Sequence, residues 1–221
     1  MESARLVTAL FKNKISPEEI TYFRGSIIRI SGNDPLFHNH YKEGFNYTYP
    51  LIQYKRINGY AALVGINNGA DAIEHLFENE KTFPCQLGNR RVELELSTIH
   101  SETEWVQCGI NSYTYSVCGW LPLNRENYRQ YQRIQGLIDR IGMLERILVG
   151  NILSFAKGIG IYFENPVNCR LQELVPSGFT KYKDIELMSF SASFQCNVSL
   201  PEYIGLGKSV SVNNGVITRI K

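Results

Sequence analysis

Asn58-Gly59 is the feature that most narrows what this chain can fold into. It lies between two runs rich in β-branched and aromatic residues, Tyr47 to Ile57 and Tyr60 to Ile66. A two-residue turn of type I′ needs positive φ at both central positions, which Asn and Gly supply at little cost, and its twist matches the strands it joins. The pair therefore predicts an antiparallel hairpin, and the rest of the first half arranges itself around it. Arg5 to Phe11 reads as a short buried strand. Ser16-Pro17-Glu18-Glu19 carries a capping box with Pro17 at the first helical position. Ile20, Phe23, Ile27 and Ile30 then follow at helical spacing up to Ser31-Gly32. Asn67-Asn68-Gly69 opens a short helix through Ile73, Leu76 and Phe77, and Arg90 to His100 alternates through Val92, Leu94 and Leu96 as a strand does. The order is β-α-β-β-α-β, which predicts a ferredoxin-like sheet with both helices on one face.

The second half repeats the plan less clearly. Tyr113 to Leu121 is strand-like, and Asn124 caps a single long helix reaching about Lys157. Ile134, Leu137, Ile138, Ile141, Leu144, Leu148, Ile152 and Phe155 hold helical spacing along it, and Gly158 and Gly160 end it. Ile161 to Phe163, Arg170 to Val175 and Ile185 to Val198 are further strand candidates. Val210-Ser211-Val212 and Val216-Ile217 flank Asn214-Gly215, a second hairpin signal. The expectation is an α+β chain of two tandem ferredoxin-like domains, residues 1–110 and 111–221, the second degenerate. No low-complexity tract separates them, so rigid packing is expected.

Composition excludes several classes. Among 221 residues, 43% hydrophobic and 20% charged is ordinary for a globular protein and argues against disorder. A formal charge of +2 is too small to announce a nucleic-acid binder, so any electrostatic case rests on local patches. Cys85, Cys108, Cys118, Cys169 and Cys196 are scattered with no CxxC pair, which argues against a disulfide framework or zinc knuckle and suits a reducing cytoplasm. The start carries no signal-peptide core and no apolar stretch reaches bilayer length, so a cytoplasmic protein without a membrane partner is expected.

The densest reactive cluster is Phe37-His38-Asn39-His40-Tyr41 with Tyr47, Tyr49, Gln53, Tyr54 and Lys55. If the histidine segment is extended, His38 and His40 point the same way, and groups that titrate near neutrality can relay protons. Three readings stand: loop-packing histidines, a metal site, or general acid–base catalysis. The metal reading lacks a third ligand at suitable spacing, so no metal or cofactor is expected. The second cluster is Leu200 to Ser209, where Gly205, Gly207 and Lys208 form either a plain turn or a phosphate cradle of backbone amides with an added positive charge. Arg125, Arg129 and Arg133 recur every four residues with Arg140 close to the same face, and Arg90-Arg91 and Lys55-Arg56 add basic pairs. These suit either a solvated face balanced by Glu126 and Asp139 or a phosphate track.

FHNHYKEGFNYTYPLIQYKRING (residues 37–59) and LPEYIGLGKSVS (residues 200–211) resemble the CRISPR-associated endoribonucleases that process repeat RNA. FHNH with YPLIQYK is similar to the amino-terminal domain of one branch of that family. The resemblance implies tandem ferredoxin-like domains and metal-independent cleavage of CRISPR repeat RNA into guide RNAs. It implies His40 as general acid or base, with His38, Tyr47 or Lys55 assisting, and an RNA backbone held by Gly205, Gly207 and Lys208. It leaves open other effector subunits and a second copy of the chain as partners. One departure stands out: the family's glycine-rich loop is usually followed by a glycine-aromatic-glycine segment, where this chain has Asn213-Asn214-Gly215. A non-catalytic RNA-binding subunit and a small-molecule regulatory protein of the same fold are the alternatives. On the cradle reading, replacing Gly207 with valine is expected to weaken RNA binding and leave stability nearly intact.

Overall fold

The structure, a computed structural model, describes every residue except 1, 39, 42–43, 46–48, 183–184 and 221, and it leaves the side chains of 40, 41, 45, 181, 182 and 185 outside the description. The chain divides into two compact units, one of Ser3–Glu104 with Ser211–Asn213, the other of Met1–Glu2, Trp105–Val210 and Asn214–Lys221.

The first unit begins with β1 (Ser3–Lys14) and a turn of 3-10 helix at Pro17–Glu19 that leads into α1 (Ile20–Ile30). The capping box forms as read: Ser16 N donates to Glu19 Oε2 at 2.9 Å, and Arg90 holds the same carboxylate at 3.0 and 3.1 Å. After the single turn α2 (Pro35–His38) come the ribbon β2 (His40–Tyr41) and β3 (Gly44–Phe45), then β4 (Ile52–Ile57) and β5 (Tyr60–Ile66). Asn58 and Gly59 take φ of 51° and 87°, and Ile57 pairs with Tyr60, so the hairpin is the one the dipeptide demands. α3 (Asn68–Leu76), β6 (Thr82–Leu87) and β7 (Arg90–Trp105) complete the unit. The strands form one five-stranded sheet in the order β4-β5-β1-β7-β6. This is the ferredoxin-like order with β6 added at the edge. Strand β6 is absent from the expected elements because Pro84 interrupts its pattern. Pro84 points outward on the edge strand, where a missing N–H costs no ladder bond, while Phe83, Cys85 and Leu87 point inward.

Both helices cover one face of that sheet, and their shared core contains Phe23 and Ile27 of α1 with Ile73 of α3. A continuous row of edge-on aromatic contacts runs through it. Tyr54 meets Phe23 at 5.9 Å, Phe23 meets Phe11 at 5.5 Å, Phe11 meets Phe77 at 5.6 Å, and Phe77 meets Phe83 at 5.4 Å between ring centroids. Edge-to-face rings add attraction beyond the area they bury. On the opposite face Gln53, Lys55, Ala62, Val64 and Ile66 are also buried. The free edge of β4 is lined by Ser211–Asn213: Tyr54 N donates to Ser211 O at 2.8 Å and Arg56 N to Asn213 Oδ1 at 2.9 Å. We call this segment the strap. Its place overturns the second expected hairpin, because the residues before Asn214-Gly215 pair with β4 and those after it join another sheet.

The second unit contains β8 (Cys108–Trp120), α4 (Arg125–Arg133), α5 (Leu137–Gly158), β9 (Cys169–Tyr182), β10 (Ile185–Val198) and β11 (Val216–Arg219). Its four strands run β11-β8-β10-β9, each antiparallel to its neighbour. The order is again ferredoxin-like, but residues 199–210 stand where the second helix would be, so this unit is degenerate as expected. Two expectations fail. Residues 161–163 form no strand, and the long helix is two helices. Asn124 caps α4 by accepting from Asn127 N at 2.7 Å. The helix then stops at Ile134, whose ψ of 120° is extended. Arg140 Nε donates to the Ile134 carbonyl at 2.7 Å and its guanidinium lies over the Tyr131 ring at 5.1 Å, so Arg140 is committed to the break and leaves the arginine row. Leu137 and Ile138, expected in the apolar stripe, are 69% and 85% exposed, and the buried stripe starts at Met143 and Leu144. Among the described residues no helix is long and apolar enough to cross a membrane.

The aromatic row generates a prediction. Phe11 sits at its centre and is 1% exposed, so Phe11→Ala should cost about 3–5 kcal/mol in urea unfolding. A loss below about 1 kcal/mol would show that the core closes around the gap and does not depend on the row.

Candidate functional site

The histidine segment grows directly out of the core. Asp34 Oδ1 accepts from Leu36 N at 2.8 Å and the Asp34 carbonyl accepts from Phe37 N at 3.0 Å, which together start the single turn of α2 behind Pro35. So short a helix leaves its last carbonyls without intrahelical donors. Two side chains supply them. Tyr54, on β4, donates its hydroxyl to the Phe37 carbonyl at 3.0 Å, and Arg24, on α1, donates Nη2 to the His38 carbonyl at 3.0 Å. Burial pushes the Tyr54 phenol up, so the group stays a donor throughout the useful pH range. Phe37 is itself buried, and its ring anchors the turn to the apolar core.

His38 ends α2 half-buried, with Nε2 3.2 Å from Asn33 Oδ1. A bond from Nε2–H to that amide oxygen would leave Nδ1 as the acceptor nitrogen of a neutral ring. Asn33 reaches this place by adopting φ of 62°. The backbone of His40 lies in β2 opposite Phe45. The side chain of His40 and the whole of Tyr47 lie outside the described residues. One premise changes. His38 closes a helical turn and the backbone of His40 opens a strand, so no single extended strand carries both residues. Arg24 escapes a reading of the sequence because nothing in its surroundings marks it out from other helical arginines, whereas Tyr54 belongs to the reactive cluster by its place in the chain.

Lys55 is fully buried, and that burial draws its ammonium down to about 7. It shares a sheet face with Gln53, whose amide donates to the Tyr49 hydroxyl at 2.8 Å and to the Pro50 carbonyl at 3.2 Å. An amine in this setting exchanges its proton near neutrality, but at 0% exposure it meets no solvent-borne substrate in this arrangement. The other basic pairs are tied to structure: Arg56 Nε donates to the Ile15 carbonyl at 2.7 Å, and Arg90 to Glu19.

In the second unit, the glycine-rich loop is shaped by packing. Gly205 is buried, and a Cβ there would stand 2.5 Å from that of Val210. Gly207 has φ of 97°, and a Cβ there would stand 3.0 Å from the Trp120 ring and 3.1 Å from the Leu121 carbonyl. Leu206 N donates to Gly215 O at 2.8 Å and Lys208 N to Leu121 O at 3.2 Å, so two of the amides a cradle would use are already engaged. The expectation that Gly207→Val spares stability is therefore overturned: positive φ and the Trp120 contact make the substitution destabilising in itself. The Lys208 side chain is exposed, as are Arg125, Arg129 and Arg133, which α4 presents at successive turns of one face.

Comparison with known proteins gives a consistent result. The Cas6b N-terminal domain model matches residues 3–105 and the Cas6b C-terminal domain model matches residues 107–220. An uncharacterized protein of Methanocaldococcus jannaschii is 34% identical over 105 residues, covering 46% of this chain and 68% of that one. Among solved structures, a crystal structure of Cas6b superposes with a TM-score of 0.86 at 26% identity, over 99% of this chain and 100% of that one. A crystal structure of the CRISPR RNA processing endoribonuclease Cas6b, at 23% identity, superposes with a TM-score of 0.74 over the same shares and supports the fold.

The burial of Lys55 makes stability depend on pH. Its folded value of about 7 lies below the ordinary 10.5, so between those limits the unfolded chain binds more protons and stability rises with pH. Lys55→Met removes that dependence. The melting temperature of the variant minus that of the parent should therefore be largest near pH 7 and shrink by several degrees towards pH 10. A difference that stays constant over that range would show that the amine titrates normally.

Proposed function

We propose, because the chain belongs to the Cas6b family, that it is an endoribonuclease that processes CRISPR repeat RNA with histidine as its acid–base group and without a metal. The observation that carries the reading is the clamped turn at Phe37-His38: two donors fix successive carbonyls, and Asn33 holds the imidazole two residues before His40. That is the rigidity a proton-transfer group needs, since a misplacement of about 1 Å can cost about a hundredfold in rate.

Cleavage then runs through the substrate's own 2′-hydroxyl. A base takes its proton as the oxygen attacks the adjacent phosphorus, the bond to the 5′-oxygen breaks, and an acid returns a proton to that leaving oxygen. The products are a 2′,3′-cyclic phosphate and a 5′-hydroxyl. His40 is the primary acid or base, and His38 supports it. Tyr47 assists, while Lys55, expected beside it, is kept by burial from touching the substrate. Lys208 and the row Arg125, Arg129 and Arg133 carry the RNA backbone, with Gly205 and Gly207 shaping the loop on which Lys208 sits. Other effector subunits and a second copy of the chain belong to this reading as further partners.

His40→Ala should slow single-turnover cleavage of a labelled repeat RNA by about 10²-fold or more, the range for losing a general acid or base. RNA affinity should stay near the parent's, because a neutral imidazole releases no counterions. Cleavage by the parent should persist in excess EDTA and leave a cyclic phosphate, and His38→Ala should show a smaller loss. Parental cleavage by His40→Ala, or loss of cleavage in EDTA, sinks the acid–base assignment, and absence of cleavage by the parent itself favours a binding subunit.

The arginine row has its own signature. RNA affinity should fall steeply with salt, each phosphate contact contributing about 0.7 to the log–log slope on a single strand. Replacing Arg129 and Arg133 together with alanine should flatten the slope by about 1.4, and an unchanged slope would remove α4 from the RNA track.

A further inference from the structure

We infer that Tyr54 is a positioning residue for the histidine segment, tying it through two hydrogen bonds to the strap at Ser211. The inference rests on the reading of His38 and His40 given above and extends it to a residue that touches no substrate.

Phenylalanine would satisfy the packing at this position. The ring of Tyr54 is 0% exposed and contacts Phe23 edge-on, and neither property uses the hydroxyl. Placing a hydroxyl in that core carries a desolvation cost unless it is bonded. Here it is bonded to one particular atom, the Phe37 carbonyl, at 3.0 Å. That carbonyl belongs to a helix of one turn and has no donor of its own within the helix. The next carbonyl, of His38, is held from α1 by Arg24 at 3.0 Å. With both successive carbonyls fixed, the peptide plane between Phe37 and His38 is set, and the imidazole keeps only its own side-chain torsions. Asn33 restrains those at 3.2 Å.

The other end of Tyr54 is equally committed. Its backbone N–H donates to Ser211 O at 2.8 Å, beside the contact of Arg56 N with Asn213 Oδ1 at 2.9 Å. Ser211 lies three residues beyond Lys208 in the sequence. One residue therefore joins the main chain of the strap to the main chain of the histidine turn. The geometry predicts that removing the hydroxyl loosens the turn and slows proton transfer without altering the groups that grip RNA.

The test is single-turnover cleavage of a 5′-labelled CRISPR repeat RNA by saturating full-length protein. Parent, Tyr54→Phe, His40→Ala and the Tyr54→Phe/His40→Ala double variant are compared. Tyr54→Phe keeps the ring contacts and removes one hydroxyl. Its cleavage rate should fall about tenfold, well within what misplacing a catalytic group costs, while the RNA dissociation constant changes by less than about twofold because no phosphate contact is lost. The double variant should cleave within about twofold of His40→Ala alone, since a residue that acts through the histidine has nothing left to position. Arg24→Met, which withdraws the donor at the neighbouring carbonyl, should show the same non-additive pattern and serves in its place should Tyr54→Phe melt too low to assay. A parental rate in Tyr54→Phe overturns the inference, as does a loss that multiplies with that of His40→Ala. Parental cleavage by His40→Ala sinks the acid–base reading on which the inference rests.

Discussion

A buried phenol must have a partner for its hydroxyl, and in the first unit that requirement transmits the register of a sheet to the position of a histidine. The type I′ turn at Asn58-Gly59 fixes how β4 pairs with β5. That register decides which residues of β4 face the helices. A slip of one residue would turn Gln53 or Lys55 into the aromatic row and send Tyr54 to the opposite face. In the observed register Tyr54 enters the row, and its hydroxyl has the Phe37 carbonyl as acceptor. The end of α2 is thereby placed, and with it His38. Local turn chemistry, strand pairing, core packing and the candidate site are successive consequences of one dipeptide.

The two units share a strand order and differ in the segment that leads from the third strand to the fourth. In the first, α3 packs its apolar face on the sheet. In the second, residues 199–210 and 214–215 do that work without a helix, and they do it with Tyr203, Gly207, Ser209 and Gly215 all at positive φ. Two of these carry a side chain, which makes the left-handed conformation costly, so the surrounding contacts must hold it. They are specific: Gly215 N donates to Gly119 O at 2.9 Å, and a Cβ on Gly215 would stand 1.8 Å from the Leu206 carbonyl. Glycine in this loop answers first to packing, and the loop it shapes leaves Lys208 exposed.

The features legible in the sequence obey rules that act over a few residues. The Asn-Gly hairpin, the Ser16–Glu19 capping box, the Asn124 cap and the span of β10 all have local causes, and the structure has each of them. The misreadings have non-local ones. Asn214-Gly215 carries the same hairpin signal as Asn58-Gly59, but its two flanks find partners in different sheets, and no dipeptide encodes that. The apolar spacing from Ile134 to Ile138 looks continuous because periodicity does not register the short extended stretch 134–136, and Arg140 stabilises the resulting break from six positions away. His38 and His40 are visible as residue types. The turn that ends at His38 is held by Tyr54 and Arg24, which lie on other elements.

The strap places an unusual demand on the order in which this protein can be built. Arg56 and Asn213 are separated by 157 positions along the chain. A polypeptide emerging from the ribosome can close the Asn58-Gly59 hairpin within microseconds, but the outer edge of β4 stays open until residues 211–213 have been made. For most of synthesis that edge presents unpaired amides, among them the N–H of Tyr54, which is the kind of surface that recruits stray strands. The first unit therefore cannot reach its final form as an isolated amino-terminal fragment, and cutting the gene between the units would leave behind a sheet lacking its last border. Where the fold begins and where it is completed lie 157 positions apart along the chain.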